Sequence, residues 1–219
     1  MDAFKQLDYF ELDDQFSEEE RMVRDSVRSW VGERFLPGVM EHFEAGTFPM
    51  DLVPELAELG VFGPTTPEEY GGAGMNGGAY GRICQERERG DAGLRSFCSV
   101  QGSLVMWPIN EYGSEDQKRE YLPKLASGEM IGCFGLTEPD FGSNPGGMLS
   151  TARKDGSDYV LNGRKMWITN GSISDIAIVW AKLDGKVRGF IVPTDSKGFS
   201  APDHNHKWSL RASVTSELV

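Results

Sequence analysis

The 219-residue chain carries 22 Lys and Arg against 34 Asp and Glu, a formal net charge of −12, with 39% apolar and 11% aromatic residues. A chain of this size and composition buries about 70% of its unfolded surface and is globular. Its acidic balance, with a pI near 4.7, disfavours nucleic acid and anionic membrane as partners, because both need clustered Lys and Arg.

The N-terminus, Met1-Asp-Ala-Phe-Lys5, soon followed by acids, has neither an apolar h-region nor an Arg-rich transit pattern. The expected location is therefore the bacterial cytoplasm or, for a mature protein, the mitochondrial matrix. The longest apolar run, Ile176 to Ala181, is far short of the roughly 20 residues that span a bilayer. Cys84, Cys98 and Cys133 are far apart and in no Cys-x-x-Cys pair, a usage that suits buried thiols in a reducing compartment.

Helical signals dominate residues 1–129. Ser17 with Glu20 forms a capping box, and Met22, Val23, Val27, Trp30 and Val31 mark one apolar face behind it. Further helices are expected over Met50–Leu59, Gly78–Arg89 and Leu94–Glu111, the last kinked or shortened by Pro108. Ser114 with Gln117 caps another that turns Tyr121, Leu122 and Leu125 inward. The Gly72-x-Gly74-x-x-Gly77 pattern follows Pro67-Glu-Glu-Tyr70 instead of an apolar strand, so it reads as a loop entering a helix and not as a dinucleotide fingerprint. Glu18 to Glu20, Glu55 and Glu58 read as solvated helix faces.

From residue 130 onward β-rich runs take over: Ile131–Leu136, Tyr159–Leu161, Lys165–Thr169, Ile176–Leu183 and Val187–Val192, with Asn162-Gly163, Asn170-Gly171 and Asp184-Gly185 as hairpin signals. The expected fold class is α+β, with an all-helical domain over residues 1–129 and an antiparallel β-domain over 130–219. His204-Asn-His206 lacks companion ligands and reads as a solvated loop, and no metal is expected.

Two segments carry candidate chemistry. Phe134-Gly-Leu-Thr-Glu-Pro-Asp-Phe-Gly-Ser143 is a strand running into a loop of glycines and hydroxyls. Such a loop can turn backbone N–H groups toward a phosphate or a ring oxygen, the alternative being an ordinary strand exit. In Lys165-Met-Trp-Ile-Thr-Asn170 the two-residue period puts Trp167 and Thr169 on one side, suited to a flat, polar-edged ring, the alternative being a core Trp.

These two segments, together with Pro67-Glu-Glu-Tyr-Gly-Gly72 and Tyr121-Leu-Pro-Lys-Leu-Ala-Ser-Gly128, resemble the acyl-CoA dehydrogenase family over nearly the whole chain. Leu94-Arg-Ser96, Ser99-Val-Gln101, Ser103-Leu-Val-Met106 and Ser209-Leu-Arg-Ala-Ser213 are most similar to its glutaryl-CoA branch. The resemblance implies an N-terminal helical domain, a middle β-domain and a C-terminal four-helix domain that these 219 residues do not include, assembled as a homotetramer. It further implies that the catalytic glutamate lies beyond residue 219, that the β-domain stops within its last strand, and that the isolated chain is inactive.

By the same likeness FAD is lined by Phe134, Leu136, Thr137, Gly142 and Ser143 and flanked by Trp167, Ile168 and Thr169. The acyl-CoA is held by Arg95, Ser96, Ser99, Glu88 and Ser143, with Arg95 on the distal carboxylate of glutaryl-CoA. A pair of Arg95 with that carboxylate is chemically apt and Glu88 matches an acid found nearby in the family, the alternative being an intrahelical salt bridge among Glu86, Arg87, Glu88 and Arg89. The implied reaction is α,β-dehydrogenation with decarboxylation to crotonyl-CoA, electrons leaving to an electron-transfer flavoprotein. A non-catalytic flavin or CoA module, or a subunit that needs a separate helical partner, is the alternative. Phe141, Asn144 and Trp208 depart from the family pattern, Phe141 and Trp208 replacing smaller residues and Asn144 lacking the usual charge.

Overall fold

The computed structural model describes residues 9–219. The leader-free reading of Met1 to Lys5 lies outside the described residues. Among those described, no helix is long and apolar enough to cross a membrane.

Among the described residues the first half holds seven α-helices: α1 Glu18–Trp30, α2 Val39–Ala45, α3 Val53–Glu58, α4 Gly77–Gly90, α5 Ala92–Ser99, α6 Trp107–Tyr112 and α7 Glu115–Ala126. Both capping boxes form, Glu20 N donating to Ser17 Oγ and Gln117 N to Ser114 Oγ, with each N3 side chain returning to its cap N–H. On α1, Val27 is buried and Val23 and Trp30 are half-buried, whereas Met22 points to solvent. The helix expected over Leu94–Glu111 forms as one contiguous helical run, α5, a wide π-type stretch Val100–Met106, and α6, which carries Pro108 in its first turn. Pro108 lies just past the π-type stretch and Pro123 lies inside α7, so neither proline ends its helix. The short α2 has a weak signature: its cap, Gly38, has no side chain, and none of its residues is fully buried, though Val39 packs against the core. Glu55 is not a solvated face but accepts from Arg34 and Trp30, which hold its carboxyl at about 2.

The loop before α4 confirms the reading of the glycine pattern. A Cβ on Gly72 would sit 2.0 Å from the Thr66 carbonyl oxygen, so glycine is there for a close chain crossing.

The second half contains β1 Gly132–Gly135, β2 Thr151–Asp155, β3 Asp158–Asn162, β4 Lys165–Thr169, β5 Ile176–Leu183, β6 Lys186–Pro193 and β7 Thr215–Leu218. The sheet is mixed, which corrects the expected purely antiparallel domain. β5 pairs in parallel with β1 and β2 and antiparallel with β6, while β2 with β3 and β4 with β7 are antiparallel. Parallel pairing needs a long return, and residues 136–175 supply it between β1 and β5. Of the hairpin signals only Asp184-Gly185 closes a hairpin, with φ of 50° and 76° as a I′ turn demands. Asn162-Gly163 joins β3 and β4, which lie in different sheets, and Asn170 opens a 3₁₀ turn over Gly171–Ile173. β2 escapes the pattern because four of its five residues are exposed.

The halves share a core. Ile131, Ile176 and Ile178 pack with the helical cluster of Phe62, Phe97, Val105 and Leu125, while Cys133, Ile168, Ala177 and Leu218 form a second cluster within the β-domain. Alternation along β5 thus turns Ile176 and Ile178 toward the helices and Ala177 away.

Fully buried Gln101 stitches the junction, donating to the carbonyls of Leu125 (2.9 Å) and Met130 (2.7 Å) and accepting from Gly132 N (2.8 Å). Replacing it takes this partner from the Met130 carbonyl and the Gly132 N–H, while the Leu125 carbonyl keeps the Gly128 N–H. Gln101→Leu is expected to lower unfolding stability by about 3 kcal/mol in urea titrations; a loss below about 0.5 kcal/mol would contradict the role assigned to it.

Candidate functional site

The strand exit after β1 is organised by one buried carboxylate. The main chains of Glu138 and Phe141 bond each other in both directions at 3.2 Å across Pro139-Asp140. The Glu138 side chain turns inward to accept from Leu149 N (2.6 Å), Ser150 N (2.9 Å) and Lys165 Nζ (2.9 Å). Lys165 also donates to the Leu136 carbonyl (3.1 Å), and Met166 N donates to the Thr137 carbonyl (2.8 Å). Thr137 is thereby gripped on both sides, and the loop beyond it presents exposed Gly142 and Ser143.

Burial raises the Glu138 pKa, but the Ser150 side chain, the Leu149 N–H, the Lys165 ammonium and the Ser150 N–H outweigh it and hold the carboxyl at about 2. Burial lowers that of Lys165, and Glu138 opposes it. Glu138 is therefore ionised at neutral pH.

Phe141, the bulky departure in this loop, lies half-buried over Gly147, where an added Cβ would meet its ring at 2.4 Å. A glycine opposite makes room for the phenyl. Asn144 is exposed, and its carbonyl takes a main-chain bond from Gly147.

β4 does not keep the expected two-residue alternation. A bulge between Lys165 and Ile168 puts Trp167 at φ 62°, Ile168 into the β-domain core and Thr169 half-buried at the helical face. The indole is 63% exposed, which excludes the core-Trp reading. It packs on His204, ring centroids 4.6 Å apart, so His204 is no solvated loop residue. Phe134 meets Trp180 edge-on.

On the helical side, Arg95 Nε donates to Glu88 Oε2 (2.7 Å) and Arg95 Nη1 to Ser99 Oγ (3.2 Å). This pair joins α4 to α5, while the bond within α4 is Glu86 to Arg89, with Arg28 also on Glu86. Ser99 Oγ donates to the Ser96 carbonyl (3.3 Å), and Ser96 Oγ lies 3.4 Å from Thr169 Oγ1. Glu88, Arg95, Ser99, Ser96 and Thr169 therefore form one polar seam across the junction, and Asn170 Nδ2 reinforces it on the carbonyls of Phe97 and Gly132.

Glu138, Lys165 and His204 were missing from the expected site. The first two sit inside the quoted motifs, but nothing in their spacing announces that they pair. Among the described residues no group of three or more His, Cys, Asp or Glu is arranged to hold a metal. Cys98 and Cys133 are buried and Cys84 half-buried, all free thiols.

Comparison with known proteins places this geometry. Residues 17–129 match the model of the acyl-CoA dehydrogenase N-terminal domain and residues 133–219 that of the middle domain. A probable acyl-CoA dehydrogenase of Bacillus subtilis, YngJ, is 37% identical over 213 residues, covering 94% of this chain and 56% of the relative. A glutaryl-CoA dehydrogenase of Mycobacterium smegmatis solved with FADH2 superposes with a TM-score of 0.93 at 56% identity, over 96% of this chain and 54% of that one. A glutaryl-coenzyme A dehydrogenase solved with glutaryl-CoA gives 0.89 at 35% identity, over 93% and 53%. The chain spans about half the length of the relatives it matches.

Removing one partner of the buried pair strands the other. Glu138→Gln is expected to cost about 3–5 kcal/mol in chemical denaturation, and Glu138→Gln with Lys165→Met to recover much of it. Because the Glu138 pKa is depressed, its contribution is complete above the ordinary 4.5 and is lost as pH falls through about 2. Urea midpoints measured from pH 7 down to pH 2 should show a larger loss in the parent than in the double variant, which keeps the acid response of Glu55 but not that of Glu138.

Proposed function

The chain belongs to the acyl-CoA dehydrogenase family, and from that premise we propose that it carries the flavin face and the acyl-chain face of an FAD-dependent α,β-dehydrogenase. The proposed substrate is an acyl-CoA whose chain ends in a carboxylate, glutaryl-CoA in particular, with decarboxylation to crotonyl-CoA. The observation that carries this reading is the 3.4 Å contact of Ser96 with Thr169, which joins the acyl-chain residues to the flavin residues in one seam.

The residues fit a flavin. An exposed indole, the hydroxyls of Thr137, Ser143 and Thr169 and the glycine loop at Gly142 suit a flat ring with polar edges. Phe134, Leu136, Thr137, Gly142 and Ser143 would line it and Trp167 and Thr169 flank it, while Ile168, its side chain in the core, would offer main chain alone. When bound, FAD supplies the acceptor for the hydride that leaves the acyl β-carbon.

Arg95, steadied by Glu88 and Ser99, presents a guanidinium to the distal carboxylate, and Ser96 and Ser143 offer hydroxyls along the acyl-CoA. A site built on such a charge favours carboxylate-tipped chains, because a charged hydrogen bond to the guanidinium is gained only with them. The carboxylates at the seam are committed, Glu88 to Arg95 and Glu138 to Lys165. No acceptor for the α-proton is therefore assigned among the described residues. That fact favours a second reading, a flavin- and CoA-binding unit that turns over only with a separate helical partner. An electron-transfer flavoprotein as acceptor, homo-oligomeric assembly and a bacterial cytoplasmic or mitochondrial matrix location belong to the same proposal.

Two measurements test it. Purified chain loaded with FAD and gel-filtered should keep a flavin absorption band that Trp167→Ala diminishes, and should not turn over glutaryl-CoA alone; a colourless parent would overturn the flavin face as assigned. Calorimetric affinity for glutaryl-CoA should fall about 10–100-fold in Arg95→Met while butyryl-CoA affinity holds, the worth of one charged hydrogen bond. Equal losses for both thioesters would refute the role of Arg95.

A further inference from the structure

We propose that His204 is a positioning residue for Trp167: its imidazole face pins the indole in the orientation presented to the flavin. The inference rests on the reading of Trp167 as a flavin-flanking residue and adds a residue that the family resemblance did not assign.

Trp167 needs support from outside its own strand. It occupies the left-handed region at φ 62° on a bulge, a conformation costly for an aromatic residue, and it is 63% exposed. The tilted ring of His204, 38° from the indole plane at 4.6 Å between centroids, is the aromatic contact it makes among the described residues.

His204 is itself fixed. Its main-chain N donates to the Thr215 carbonyl (2.8 Å), and Thr215 faces Thr169 across β4 and β7. Next to it, Asp203 accepts from Ser216 Oγ (2.7 Å), which in turn accepts from Ser172 N (3.0 Å). Lys207 Nζ gathers Leu210 O, Ser213 O and Thr215 Oγ1, and Arg211 ties the segment to the end of α2 through the carbonyls of Phe43 (2.9 Å) and Glu44 (2.8 Å). A bracket anchored on both halves of the molecule thus carries the ring.

The imidazole works through its face. The ring meets the indole at 4.6 Å between centroids, and that aromatic contact is what the side chain is proposed to contribute. Phenylalanine should replace it and alanine should not.

The test uses the full 219-residue chain labelled with 5-fluorotryptophan, the Trp167 resonance being assigned by its loss in Trp167→Phe. In the flavin-free protein, His204→Ala should shift and narrow that ¹⁹F line as the indole gains freedom, and His204→Phe should restore a broad, displaced line. An unchanged line in His204→Ala overturns the proposal. On FAD titration His204→Ala should weaken binding about tenfold, with His204→Phe within about twofold of the parent. Equal affinities in all three would overturn a role toward the flavin even if the line moves. A parent that binds no FAD would instead refute the flavin reading, leaving the ¹⁹F line to decide whether His204 holds Trp167.

Discussion

The buried ion pair of Glu138 with Lys165 is the constraint on which the candidate site depends. Each charge would be intolerable alone at that depth. Together they tie the exit of β1, the start of β2 and the first residue of β4 to one point, since Glu138 also takes the amides of Leu149 and Ser150 and Lys165 takes the Leu136 carbonyl. Thr137 is held between the two attachments, and the bulge that turns Trp167 outward begins two residues beyond Lys165. A carboxylate drawn into such service is poorly placed to act as a base.

The second constraint is the junction of the two halves. Gln101 satisfies three buried main-chain groups there, and Asn170 and the Ser96–Thr169 contact extend the same seam. Helices and sheet share one core across it, through Ile131, Ile176 and Ile178. A site that draws its polar groups from both halves inherits the rigidity of that core, and the residues proposed for the acyl chain on α5 stay in register with those proposed for the flavin on β4. The same logic brings His204 to Trp167, because the segment that carries it is anchored to α2 as well as to β7.

Much of this was legible along the chain. The capping boxes at Ser17 and Ser114, the strands Lys165–Thr169 and Ile176–Leu183 and the Asp184-Gly185 turn depend on near neighbours and form as expected. The family likeness rested on short motifs and pointed to the seam residues. What stayed hidden was long-range: the parallel pairing of β5, the exposed and unpatterned β2, the bulge at Trp167, and the cross-helix pairing of Glu88 with Arg95.

By itself, the sequence determined the order of helices and strands, the helix starts and the residue types available for chemistry, because those follow from local hydrogen bonding and hydrophobic period. Only the tertiary structure decided which charges pair, which aromatic faces solvent and which ring it leans on. Glu138 and Lys165 are 27 residues apart, and Ser96 and Thr169 are 73. Over such separations the partner is chosen by how the sheet and helices pack, and by the cost of leaving a buried polar group unpaired, neither of which is written in spacing along the chain.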